Sequence, residues 1–173
     1  MKNSSTKKLI EGGIVIALAY VLSLVKIYQL PNGGSITAGS MVPILVYALR
    51  WGGGPGVFVG IVYGTIQFIL GPKWSFHIVS ILFDYSVAFG FLGLAGFFKG
   101  SLPKEMLGVF IGIFMRFAAH VVSGVVVWSS YAPEGVSPLT YSIIYNGSYL
   151  IPEIIISIFI YGLLHKPLKN MKY

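Results

Sequence analysis

Long apolar stretches, each cut from the next by Gly, Pro and charged residues, recur along this whole chain. A helix rising 1.5 Å per residue needs about 20 such residues to cross a bilayer core of ~30 Å. The stretches fall at about 9–27, 40–49, 57–70, 76–98, 106–131 and 139–164, the second of them short. A soluble domain carries charge on about a quarter of its residues. Here the charged share is 10% of 173 residues, with 55% hydrophobic and a mean hydropathy of +0.82. The expectation is an all-α membrane protein of six transmembrane helices forming a single domain over 1–173. Met1 to Gln29 imitates a signal peptide but lacks a small-residue cleavage site, so it is read as a retained first helix.

The net charge of +7 lies in loops and tails and does not point to nucleic acid. Lys2, Lys7, Lys8, Arg50, Lys99, Lys104, Lys166, Lys169 and Lys172 fall on the side of the two termini, against Lys26 and Lys73 on the other. By the positive-inside rule this predicts an N-in, C-in orientation. The Gln29–Ser35 stretch reads as a mobile outer loop because of its Pro, Asn and Gly residues.

Few polar groups interrupt the spans. His120, Gly124 and Trp128 recur every four residues and so share one helix face. A His, a gap and a Trp in one row form a shelf for a flat aromatic ligand. Counted from the outer helix ends, Asp84 lies ~12 Å deep, His120 ~16 Å and Asn146 ~10 Å. Three helices therefore place polar groups in one layer, with Tyr63, Trp74, Tyr85, Trp128, Tyr141 and Tyr145 able to surround it. A concave aromatic pocket with a few polar groups is the signature of a small-molecule site. Asp84 is costly at that depth unless it meets a cation or a proton, and aromatic faces also favour a cation. The blander reading makes Gly124 a packing notch, Trp128 an interfacial anchor, Asn146 a clasp between helices, and pairs Asp84 with Arg116 or Tyr141. Glu153, after Pro152, has no role beyond relieving a kink or pairing with Arg116.

Other chemistry is sparse. There is no Cys, hence no disulfide or thiolate. His residues do not occur at metal-ligand spacing, and no metal or cofactor is expected. The 93–101 stretch lacks the Gly that a phosphate loop needs before Lys99. No Ser-x-x-Lys or Gly-x-Ser-x-Gly nucleophile motif is present, so an enzyme is not expected.

Leu82-Phe-Asp84-Tyr85, Arg116-Phe-Ala-Ala-His120-Val-Val-Ser-Gly124, Trp128 and Tyr141-Ser-Ile-Ile-Tyr-Asn146 resemble the thiamine-specific S-component of energy-coupling factor (ECF) vitamin transporters. The resemblance spans nearly the whole chain. It implies the six-helix S-component fold, a location in the cell membrane and thiamine as ligand. It places the aminopyrimidine at Asp84 with Tyr141 and Asn146 near it. His120 and Trp128 would contact the rings, Tyr85 and Gly124 the thiazolium and hydroxyethyl side, and Tyr63 and Trp74 would line the site. It further implies docking on a transmembrane coupling protein and two ATP-binding subunits. Gly13-xxx-Ala17 matches the family's Ala-xxx-Ala docking motif. Familiar members often carry Glu at the Asp84 position. Some also close a Trp over the ligand where this chain has Gly33-Gly34-Ser35-Ile36. Alternatives from the residues alone are an S-component for another flat vitamin or precursor such as hydroxymethylpyrimidine, a small intramembrane enzyme, or a structural subunit.

Overall fold

A computed structural model describes residues 2–170. Lys172 and the side chain of Lys2, both counted above for orientation, lie outside what is described. Six helices form the bundle: α1 (Lys2–Leu24), α2 (Val42–Trp51), α3 (Gly53–Leu70), α4 (Ile78–Phe97), α5 (Leu102–Val127) and α6 (Pro138–Asn170). By length and composition α3, α4, α5 and α6 can each cross a membrane. The chain is thus a multi-pass membrane protein. Its outer surface agrees, with Leu9, Phe58, Ile69, Ile144, Ile155 and Phe159 all exposed.

The first outer connection differs from its expected form. α1 stops at Leu24, short of the expected Ile27, and the stretch read as a mobile loop is an antiparallel hairpin. Strand β1 (Lys26–Gln29) pairs with β2 (Ser35–Thr37), with Tyr28 opposite Ile36 and Gln29 opposite Ser35. Pro31–Gly33 make a short 3-10 turn, in which Asn32 and Gly33 take φ of 62° and 102°. Turn residues signalled the reversal. The flanking Lys-Ile-Tyr-Gln and Ser-Ile-Thr were too short to read as strands.

α4 is irregular. Its residues Ile81–Ser86 form a π-helical turn and Leu92–Phe97 a 3-10 turn. Single π turns inside α-helices occur often at functional sites, because the wider turn re-aims its side chains. Asp84 lies within this one. α6 carries Pro152 and Pro167 internally, and each removes a backbone donor from the helix ladder.

The core is built by Met41, Ile44 and Leu45 of the α2 segment, Leu92 of α4, Ile113 of α5 and Leu150 of α6. Tyr63 is fully buried and meets Phe89 edge to face at 4.7 Å. At the end of the bundle near both termini, Glu11 accepts from Arg50 at 2.9 Å and from Trp51 Nε1 at 2.7 Å. Glu105 pairs with His165 at 2.9 Å and accepts from Tyr161 at 2.7 Å. In the turn between α4 and α5, Lys99 donates to the Arg50 carbonyl at 2.8 Å. Burial, and then repulsion from Lys8, lowers the Lys99 pKa below its ordinary value.

Candidate ligand-binding site

At the opposite end of the bundle α1, α3, α4, α5, α6 and the hairpin enclose a cavity of about 210 Å³. Tyr63, Trp74, Asp84, Tyr85, His120, Gly124, Trp128, Tyr141 and Asn146 all line it. Its centre is a chain of hydrogen bonds. Asp84 Oδ2 accepts from Ser80 Oγ and from Ser123 Oγ, each at 2.6 Å, and Asp84 Oδ1 lies 2.9 Å from His120 Nδ1. Arg116 Nε donates to His120 Nε2 at 3.2 Å. Because Nε2 accepts, it carries no proton. Nδ1 therefore carries it and donates to Asp84, which fixes the tautomer of a neutral imidazole. The remaining face of the Arg116 guanidinium lies 4.1 Å from the centre of the Phe89 ring.

This geometry replaces two pairings expected from sequence. Asp84 bonds neither Arg116 nor Tyr141. It is held by two serines and a histidine, and Arg116 reaches it only through His120. Ser80 and Ser123 were missed, although Ser80 stands one turn before Asp84 and Ser123 one turn after His120. Both nitrogens of His120 are engaged within the protein. What it offers a ligand is therefore the ring face, at a residue only 8% exposed.

Gly124 does not leave a gap on the shelf. A Cβ there would lie 2.0 Å from Ser142 Oγ, so α6 fills the space and the glycine is needed for that approach. Ser142 in turn donates to the Val121 carbonyl at 3.1 Å. Asn146 acts as a clasp. Its Nδ2 donates to the Ser142 carbonyl at 2.9 Å and to the His120 carbonyl at 3.4 Å, and its Oδ1 accepts from Tyr149 at 2.8 Å.

The walls are aromatic. Trp128 ends α5 and packs against Tyr131 with ring centres 5.5 Å apart. Tyr141 stacks on Tyr145 at 6.1 Å, and among the described residues its hydroxyl has no hydrogen-bond partner. The Tyr85 ring meets Phe68 at 5.2 Å. The Tyr63 hydroxyl donates to the Ala19 carbonyl at 3.3 Å and accepts from Gln67 Nε2 at 2.5 Å. The Trp74 indole lies against Gly33, where the hairpin turn meets the α3–α4 connection. Glu153 is not paired with Arg116. It is 3% exposed and accepts from Thr37 at the base of β2. Gly13 and Ala17 are both exposed on the outer face of α1, and a Cβ on Gly13 would touch nothing within 4 Å.

A helical bundle closed at one end by a hairpin encloses an aromatic cavity lined by the carboxyl groups of Asp84 and Glu153, a concave site of small-molecule size. The fold is that of an S component. A solved structure described as the S component of a bacterial ECF transporter superposes with a TM-score of 0.65, covering 96% of this chain and 97% of that one at 20% identity. The ThiT structure from Listeria monocytogenes is closer, with a TM-score of 0.81 at 27% identity over 97% of this chain and 96% of that one. Residues 9–172 match the model of the thiamine transporter protein (Thia_YuaJ) family, and the chain belongs to that family. Among its relatives, the thiamine transporter ThiT of Bacillus subtilis is 37% identical over 164 residues, 86% of this chain and 85% of that protein. The ThiT of Lacticaseibacillus paracasei is 28% identical over 90% of this chain and 85% of that protein.

Proposed function

We propose that the whole chain acts as one binding unit of the cell membrane, capturing thiamine from outside as the S component of an ECF importer. Membership of a thiamine transporter family supports the ligand. The observation that carries the reading is Asp84. A carboxylate oriented by three donors, inside an aromatic cavity, suits a flat cation with an amino-substituted ring. In this reading the aminopyrimidine lies at Asp84 and is met by the unpartnered Tyr141 hydroxyl. Trp128 and the face of His120 pack on the rings, Tyr85 flanks the thiazolium side, and Tyr63 and Trp74 complete the walls. Gly124 and Asn146 act by holding α5 and α6 together behind these groups. The basic end of the bundle faces the cytoplasm.

Capture alone moves nothing across a membrane. Gly13 and Ala17 offer a smooth free face on α1, and we assign it to the transmembrane coupling protein that joins this subunit to two ATP-binding subunits. Reconstitution with that module in liposomes tests the whole reading. ATP-dependent accumulation of labelled thiamine is expected. Accumulation that needs neither the module nor ATP would overturn it.

A further inference from the structure

The hairpin β1–β2 covers the cavity without joining a larger sheet among the described residues. Among the described residues, side-chain hydrogen bonds from the helices reach it from a single face of α6. Tyr145, Tyr149 and Glu153 are spaced by four residues and share that face. At the turn, the Tyr145 hydroxyl accepts from Gly34 N–H at 3.1 Å and donates to the Pro31 carbonyl. Tyr149 fills the space below, and a Cβ on Gly34 would lie 2.7 Å from its ring. At the base, Glu153 Oε1 accepts from Thr37 N–H at 2.5 Å and from Thr37 Oγ1 at 2.7 Å. Ser40 N–H donates to the same Thr37 hydroxyl at 3.2 Å.

The two attachments differ in kind. Glu153, Thr37 and Ser40 are 3–5% exposed, and the two bonds from Thr37 to Glu153 are shielded from water. The Tyr145 bonds are neutral, and the one to the Pro31 carbonyl reaches solvent, so water competes for it, although the Gly34 amide is buried. One end of the hairpin is therefore fixed and the other can be released.

We propose that Tyr145 and Glu153 are positioning residues for ligand capture. Glu153 holds the base of the hairpin as a hinge. Tyr145 is a clasp at its turn, and release of the clasp sets how fast ligand enters and leaves. This rests on the reading of the cavity as the thiamine site, but one arm of the test does not need thiamine.

The test uses the full chain in detergent, with hydrogen exchange at the Gly34 amide and stopped-flow thiamine binding. Tyr145→Phe keeps the ring and loses the hydroxyl. It should raise Gly34 exchange without ligand and raise association and dissociation rates together, each by about fivefold, the effect of one lost neutral hydrogen bond. The dissociation constant should move by less than about threefold. Glu153→Gln keeps an acceptor for Thr37 but replaces the carboxyl group, and it should speed exchange at the Thr37 amide. Wild-type rates and wild-type Gly34 exchange in Tyr145→Phe would overturn the clasp. So would weaker binding from faster dissociation alone, which would make Tyr145 a direct ligand contact. If the wild-type chain fails to bind thiamine, the functional reading falls, and the exchange arm still decides the clasp.

Discussion

Arg116 and His120 stand one turn apart on α5, and the 3.2 Å bond from Arg116 Nε to His120 Nε2 determines which His120 nitrogen faces Asp84 as a donor. The arginine thus orders the carboxylate without touching it. Arg116→Lys should break this arrangement, because an ammonium on a flexible stem does not reproduce a planar Nε–H. Thiamine affinity should fall by about 1.5–3 kcal/mol, the range for hydrogen bonds to charged groups. Nitrogen NMR of the His120 ring should show mixed tautomers. A single Nδ1–H tautomer with full affinity in the variant would remove Arg116 from the site.

Trp128 is expected to stack on the ligand. Stacking on an aromatic contributes about 0.5–1.5 kcal/mol beyond area burial. Thiamine should change the tryptophan fluorescence of the wild-type chain, and Trp128→Phe should remove most of that change and weaken binding within this range. Trp74 and Trp51 remain as internal controls. A variant that keeps both the signal and the affinity would leave Trp128 as an interfacial anchor only.

Gly124 and Ser142 should be coupled. A methyl group at Gly124 would displace the Ser142 hydroxyl, which bonds the Val121 carbonyl and accepts from Asn146 at 3.2 Å. Gly124→Ala should lower the melting temperature and weaken binding, at about 1–3 kcal/mol for overpacking. Adding Ser142→Gly should restore part of both. A double-mutant cycle without coupling would mean that the space at Gly124 serves the ligand instead.

Docking should separate from binding. Gly13 and Ala17 are exposed, and a Cβ on Gly13 would touch nothing within 4 Å, so added bulk there is expected to be tolerated within the subunit. Ala17→Trp should bind thiamine as the wild type does and fail to support uptake with the coupling module. Joint loss of folding and binding would mean that this face packs within the subunit.

The spans α4, α5 and α6 were legible in the sequence because each runs for 20 residues or more of mainly apolar sequence bounded by turn residues, whereas the stretch at α2 is too short to cross. The layer of Asp84, His120 and Asn146 was also legible, since helical rise alone fixes depth. The pairing within that layer was not. Depth does not give rotation, and the π-helical turn at Ile81–Ser86 re-aims Asp84 in a way that no α-helical spacing predicts. The hairpin was hidden for a related reason. Its strands are three and four residues long, and what fixes them is Tyr145 and Glu153, more than a hundred residues away. The Gly124 gap misled because a glycine reads alike whether a ligand or Ser142 fills its space.

Calorimetric titration of purified wild-type chain and Asp84→Asn with thiamine measures whether Asp84 holds a thiamine cation in this cavity. One thiamine per chain is expected for the wild type, with little heat from hydroxymethylpyrimidine, and affinity lower by about 1–3 kcal/mol in Asp84→Asn, the effect of losing a charged partner. Equal thiamine affinity in both proteins, or no binding by the wild type, would contradict it.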